Sequence, residues 1–329
     1  MELTRRRLLL SGGSGLATLG AARASYNVVL GYDPFTGTNV VEQDLDPLIE
    51  ADLGPNDGLV ATVEDVTIAI EQASLTVGHD GDTTEIAITE DGLTRARELE
   101  SDLGLGEAVL SKLLEDLVAL EQGALRFVYQ DYNAFFDRLA EHRTRPYTVQ
   151  ALRSGRTAEP AMVEGFIGGD PADTHALVED LADAFRERSY YDLPRYVAGS
   201  VEDNVIFGAT DLRQHFESPT DFEALETGAT RGLFCYELVF RSIEAFHSIP
   251  ATQQVQPVFT GYVRNSRHKH AYTSIASVLR DGDELVIPVT FVDYTRATLY
   301  DDLRIRWLVG EGLDAYTERQ RATEIFWSW

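Results

Sequence analysis

Lys269-His270-Ala271-Tyr272-Thr273-Ser274-Ile275-Ala276-Ser277-Val278-Leu279-Arg280-Asp281-Gly282-Asp283-Glu284-Leu285-Val286-Ile287-Pro288-Val289-Thr290-Phe291-Val292-Asp293 is the stretch that decides the reading of this chain. Two β-rich runs alternate on either side of a dipeptide that favours tight hairpin turns. His270, Tyr272, Ser274, Ala276 and Val278 share one face of the first run. Leu285, Ile287, Val289, Phe291 and Asp293 share one face of the second. A type I′ turn at Asp281-Gly282 pairs Arg280 with Asp283, and counting back sets His270 directly opposite Asp293. Opposed residues hold their Cβ atoms roughly 4.5–5.5 Å apart, within reach of an imidazole–carboxylate hydrogen bond. Pro288 marks the place where a bulge would upset this count. The bland alternative is an ordinary His–Asp pair on a solvated sheet face.

Upstream, the only cysteine, Cys235, opens an amphipathic segment that reads as a helix to about His247. Leu238, Val239, Ser242, Ile243 and Phe246 form its buried face, and Glu237 and Arg241 are spaced for an ion pair outside. Gly228 and Gly232 loosen the approach, and Ser248-Ile249-Pro250 ends the segment. A thiol in a first helical turn lies at the positive end of the helix dipole, beside unpaired N–H groups that favour an anion and could serve as oxyanion donors. The plain alternative is a small buried apolar residue. Cys235, His270 and Asp293 together form the layout of a nucleophile, its base and the group that orients the base.

One cysteine excludes an internal disulfide framework and a thiolate metal cage. His268 should share a face with His270, but two histidines and one carboxylate make too small a metal site. The chain is therefore expected to need neither metal nor cofactor. His247 reads as a cation at a helix end. His79, His142, His175 and His215 have no partner visible in the sequence.

Of 329 residues, 44% are hydrophobic, enough for one large domain or two ordinary ones. Net charge is −26, and only Lys112 and Lys269 among the 28 basic residues are lysines. This acidic, lysine-poor composition resembles that of salt-in halophiles, above all haloarchaea. The acid is spread along the chain as a solvated surface, and no basic face suits nucleic acid. Thr4-Arg5-Arg6-Arg7-Leu8-Leu9-Leu10, followed by an apolar run ending in Ala22-Arg23-Ala24, resembles a twin-arginine export signal spanning residues 1–24. That run is short and Gly-rich for a membrane span, and nothing else in the chain suits one. An extracytoplasmic, secreted or surface location is expected, an uncleaved signal anchor being the alternative.

Residues 26–30, 66–77 and 85–89 read as strands, with a turn at His79-Asp80-Gly81-Asp82, and residues 33–57 read mostly as loop. Residues 92–143 read as helical. Leu110, Leu113, Leu114, Leu117 and Leu120 mark one apolar stripe, and Val128, Tyr132, Phe135 and Leu139 another. Residues 143–170, with few periodic positions, read as a boundary. They divide an N-terminal mixed module (25–150) from a C-terminal domain (171–329). Pro171 is expected to start a helix through Leu177, Leu181 and Phe185.

From Cys235 onward the chain resembles the transglutaminase-like, or papain-like cysteine hydrolase, superfamily. His247-Ser248-Ile249-Pro250-Ala251 looks like the stretch after that family's nucleophile helix, and Phe259-Thr260-Gly261-Tyr262-Val263 like its next strand. His270-Ala271-Tyr272 resembles its His-Ala-Trp, and Val292-Asp293-Tyr294-Thr295 its Val-Asp-Pro-Thr. The resemblance covers roughly residues 171–310. It departs at the approach, where Gly232 lies three residues before the nucleophile instead of two. The resemblance implies an α+β fold in which the nucleophile helix packs on an antiparallel sheet, with Cys235, His270 and Asp293 as catalytic triad. It also implies an enzyme acting on peptide or protein amides. Lysine-poor surroundings favour water over a lysine amine as acyl acceptor, hence a cysteine peptidase or amidase. The alternative is a catalytically inactive cell-envelope protein that binds or supports.

Overall fold

A computed structural model describes residues 53–192, 219–267, 269–295 and 321–327, with Leu45 and Arg195. The signal at 1–24, the strand expected at 26–30, His215 and His268 lie outside the described residues. The fold is mixed α+β, with antiparallel sheets and flanking helices.

Four strands, β1 (Gly58–Val63), β2 (Val66–Glu71), β3 (Ser74–His79) and β4 (Asp82–Ala87), form an antiparallel meander. The stretch expected to be one strand over 66–77 is two, folded at Gln72-Ala73. Both turn residues take positive φ, 51° and 61°. A type I′ turn demands that conformation, and without glycine or asparagine it leaves little trace in the sequence. The Asp80-Gly81 turn between β3 and β4 has the same geometry with the usual residues.

Helices α1 (Glu90–Asp102), α2 (Val109–Glu121) and α3 (Tyr132–Glu141) occupy most of the stretch read as helical. It is interrupted by β5 (Leu125–Tyr129). Gly123, at φ +68°, stops α2, and the β-formers Leu125, Phe127, Val128 and Tyr129 then pair in parallel with a distant strand. Val128 therefore lies on a strand, while Tyr132, Phe135 and Leu139 are buried on α3.

The proline-bearing stretch 143–170 holds two short helices, α4 (Pro146–Leu152) and α5 (Pro160–Ile167), each starting at its proline. Helix α6 (Thr174–Arg188) starts after Pro171, at the Asp173 cap, and buries Leu177, Leu181 and Phe185. Strand β6 (Tyr190–Tyr191), helix α7 (Phe222–Glu226) and strand β7 (Gly232–Leu233) lead to α8 (Cys235–Phe246). Among the described residues no helix is long and apolar enough to cross a membrane.

The larger sheet contains β8 (Phe259–Asn265), β9 (His270–Ala276), β10 (Leu279–Asp281), β11 (Glu284–Val292) and β12 (Glu324–Phe326). Its order is β10-β11-β9-β8-β12, and β5 lies on the other side of β11. Asp281 pairs with Glu284, so the hairpin loop is Gly282-Asp283, one residue later than expected. Gly282 is its first central residue, at φ +61°. The same register holds through Val289↔Ala276 and Val292↔Thr273. Asp293 thus stands across from Tyr272, and His270 lies two residues farther along. A shift of two keeps every side chain on its face, so His270 and Asp293 still share one. Pro288 introduces no bulge. Ser277 N–H donates to the Pro288 carbonyl, but Pro288 has no N–H to return, and there β9 gives way to β10.

Two large hydrophobic clusters line this sheet. One joins Val60, Ile68 and Ile70 of the meander and Leu110, Leu113 and Leu117 of α2 to Ile287, Phe291 and Tyr272. The other joins Phe135, Phe166, Leu181 and Phe246 to Ile275, Val286 and Val292. Packing therefore runs across the 143–170 stretch, and β5 belongs to the sheet that carries His270.

Asp116 of α2 is fully buried and accepts four hydrogen bonds. Arg145 Nε and Nη2 lie at 2.7 and 3.0 Å, Arg280 Nη1 at 3.1 Å and Thr148 Oγ1 at 2.6 Å. This carboxylate ties α2 to the start of α4 and to β10. Removing it strands two part-buried guanidinium groups and a buried hydroxyl, so Asp116→Ala should cost about 2–3 kcal/mol of unfolding free energy. Denaturant titration in molar salt measures the loss, and a cost under about 1 kcal/mol would show that water replaces the carboxylate.

Candidate active site

Helix α8 lies on β9, with Ser242 Oγ 2.6 Å from Thr273 Oγ1 in the contact. Its expected inner face is buried throughout: Leu238, Val239, Ser242, Ile243 and Phe246. Cys235 is the first helical residue and packs with Val239, Ile243, Ala271 and Tyr262. The thiol is thereby set against the start of β9, where Lys269, at φ +52°, turns the chain into the strand.

His270 opens β9 and is buried. Its Nε2 stands 2.7 Å from Asp293 Oδ2, and the ring lies close enough to the Cys235 side chain for the two to interact electrostatically. Asp293 is held from its other side by the Thr295 N–H, which donates to Oδ1 at 3.0 Å. The two-residue register difference is absorbed by the imidazole, which reaches diagonally across the ladder. All three residues singled out from the sequence, Cys235, His270 and Asp293, meet at one point.

Burial by itself would drive the His270 ring toward its neutral form. The Asp293 charge and hydrogen bond reverse this, with further support from Cys235, and its pKa is pushed up to about 10. The imidazolium is thus the stable form at neutral pH, suited to accompany a thiolate and to deliver a proton. Two tyrosines stand near. Burial, then the Cys235 charge, pushes Tyr262 up to about 12, and burial, then Asp293, raises Tyr272 well above the usual range. Both stay protonated.

The approach to Cys235 is built from residues that pattern reading placed elsewhere. Glu237 was expected on the outer face with Arg241, but it is buried. It accepts the Phe234 N–H at 2.7 Å and is ion-paired with buried Arg195. Arg241 pairs with Glu244 instead, at 2.8 Å. The Arg195 guanidinium lies 4.0 Å from the centre of the Phe234 ring, and the Arg195 backbone N–H donates to Asp192 Oδ1 at 3.0 Å. Asp192 N–H in turn donates to the Leu233 carbonyl at 3.1 Å. A Cβ on Gly232 would come within 2.7 Å of Asp192 Oδ2, which explains a glycine three residues before the thiol. The signal for Glu237 was in the sequence: a glutamate at the third helical position is the usual partner of the N-cap backbone. With the Phe234 N–H taken by Glu237, the Cys235 and Tyr236 N–H groups of the first turn have no intrahelical acceptor. They point an oxyanion-type pair of donors toward the thiol end.

His247 departs from its expected role as a helix-end cation. It is buried, and burial, followed by the charge of Arg153, holds it well below its ordinary range. Nδ1 lies 3.2 Å from the Arg156 carbonyl, and Nε2 accepts from Thr260 N–H at 3.2 Å. It is a neutral strut between α8 and β8. His79, with no partner visible in sequence, lies 3.1 Å from Asp65. Together with Asp80 they form a surface group whose ligand atoms lie within 4.8 Å of one another. Nothing ties this group to the thiol.

No family model, curated protein or solved structure matches the chain.

The raised His270 pKa has a consequence for stability. Below pH 6.5 the imidazole is protonated folded or unfolded, and the ion pair with Asp293 contributes in full. As pH rises above 6.5 the unfolded chain releases its proton first, and the contribution is gone once pH passes about 10. Thermal melts across that window should show the wild type losing Tm more steeply than His270→Gln. Parallel curves would mean that His270 is neutral in the folded protein and forms no ion pair with Asp293.

Proposed function

We propose that this protein is an exported thiol enzyme of transglutaminase-like type, a cysteine peptidase or amidase that cleaves peptide or protein amides. The observation that carries this reading is the buried cluster of Cys235, at the N-terminus of α8, with the hydrogen-bonded pair His270–Asp293. The order of the short motifs along the sequence supports it. So does the architecture, in which a helix opened by the cysteine packs on an antiparallel sheet that carries the histidine and leads to the aspartate.

The chemistry follows from the residues. The proton of Cys235 rests on His270, and Asp293 stabilises the resulting imidazolium and fixes the orientation of its ring, leaving the sulfur as the thiolate nucleophile. Sulfur attacks the carbonyl carbon, and the Cys235 and Tyr236 N–H groups face the oxygen as it becomes an anion. The C–N bond breaks as the imidazolium protonates the departing amine. Water then attacks the thioester, giving one proton to His270, which returns it to the sulfur as the acid leaves. Water is favoured over a lysine acceptor because this chain holds only two lysines, and a lysine-poor neighbourhood offers few amines.

A second reading, a surface protein that keeps the fold for binding, draws on the low exposure of the thiol, 9% for Cys235. Carbamidomethylation of Cys235 by iodoacetamide, followed against pH in molar salt, separates the two. The enzyme reading expects rapid labelling through neutral pH, slowed at least ~10-fold in His270→Ala, the scale of a lost general base. Slow labelling that ignores the substitution would leave the binding protein.

A further inference from the structure

Five aromatic rings run in sequence past the thiol. Phe234 and Tyr236 have ring centres 5.8 Å apart, Tyr236 and Phe240 6.1 Å, Phe240 and Tyr262 5.8 Å, and Tyr262 and Phe326 6.3 Å. The run begins on the residue before Cys235, follows α8 at a spacing of four residues, and crosses to β8 and β12. Tyr262 belongs to the packing around Cys235 itself. Every ring in the run is partly open to solvent, Tyr236 most of all at 39%.

From this we infer that the strip is the acyl-side subsite of the enzyme proposed above, and that it takes an uncharged, aromatic or large aliphatic side chain next to the scissile carbonyl. The inference rests on that proposal for the reaction and on the strip alone for the specificity. Three arginines flank the rings: Arg195 over Phe234, Arg156 4.2 Å from the Phe240 centre and Arg264 5.1 Å from that of Phe326. These cations could suggest an acidic ligand. Each is already ion-paired, Arg195 with Glu237, Arg156 with Glu244 at 3.3 Å and Arg264 with Glu324. Their charge is answered within the protein, and what faces a substrate is ring surface. On a chain of net charge −26, an acidic side chain would also meet general repulsion. Concentrated salt screens that repulsion and, with excluded ions, strengthens apolar association. Phe240 and Tyr262 are the specificity-determining pair, because Tyr262 packs against Cys235 and Phe240 meets it from the helix.

The test is alkylation of Cys235 by the chloromethyl ketones of N-acetyl-Phe, N-acetyl-Gly and N-acetyl-Glu in molar salt, with iodoacetamide run in parallel. The wild type should react about tenfold or more faster with the Phe reagent than with the Gly reagent, the selectivity typical of an apolar pocket. The Glu reagent should be slowest. In Phe240→Ser the Phe-to-Gly ratio should fall toward one, and in Phe240→Leu most of it should remain. A wild-type ratio near one, or a ratio unmoved in Phe240→Ser, overturns the assignment whether or not the variants fold equally well. Iodoacetamide labelling that is indifferent to His270→Ala sinks the enzyme while a surviving Phe preference still upholds the strip.

Discussion

The site depends on one strand with partners on both sides. β11 pairs with β5 along one edge and with β9 and β10 along the other, and Asp293 is the residue just past its end. A strand so enclosed has no freedom to slip, because its two faces are filled by two different hydrophobic clusters. Its register sets where the carboxylate stands. β9, locked to it, sets where the imidazole stands, and α8, seated on β9, brings the thiol. Three catalytic-type groups separated by 58 residues of sequence thus become one geometric object through hydrogen bonds that involve none of their side chains.

Electrostatics divides this molecule in two. The surface carries a large excess of acid, dispersed among exposed residues. Among the described residues the buried charges are few, and those below have their partners. Asp116 collects two arginines, Glu237 holds Arg195 and a backbone N–H, and Asp293 holds His270. Arg153 is the exception in kind: buried, with its pKa lowered to about 9 by that burial, it is surrounded by neutral oxygens of Ile249, Val258, Gln150 and Gln254. A guanidinium with every donor bonded to a carbonyl is solvated by the protein instead of by water. Salt outside screens the surface charges and hardly reaches these, so the interior pairs keep their strength in brine.

Legibility in the sequence followed the range of the forces involved. The α8 helix, its buried face and the β9 and β11 strands could be read from periodicity, because each is a local pattern of apolar side chains, whereas β8 was expected only from the family resemblance. The turn at Gln72-Ala73 could not, since neither residue announces a positive φ. Nor could β5, whose Val128 fell in step with a helical stripe that began only after it. The hairpin loop was misplaced by one residue because Asp281-Gly282 suits a type I′ turn, and only the pairing of β10 with β11 puts Gly282 first. That error left the site readable, as the resulting shift is even and sheet faces alternate with period two. Glu237 shows the opposite case: an i,i+4 rule placed it outside with Arg241, while the capping rule for the third helical position, equally local, placed it against the backbone.

What the sequence by itself determined is the set of chemical groups and the faces they occupy: a thiol at a helix start, an imidazole and a carboxylate on like faces of two strands, and an acidic, arginine-dominated chain around them. Those follow from residue type and short-range periodicity, which act within a few residues. What only the tertiary structure decided is how the groups meet. It decided that His270 reaches diagonally to Asp293, that Arg195 and Asp192 brace the approach to Cys235, that His247 is a neutral strut, and that five rings adjoin one another in a run that includes Tyr262 beside the thiol. Each of these depends on a register or a packing contact between segments far apart in the chain. Such contacts are chosen by the burial of whole faces at once, and no local stretch of sequence contains that choice.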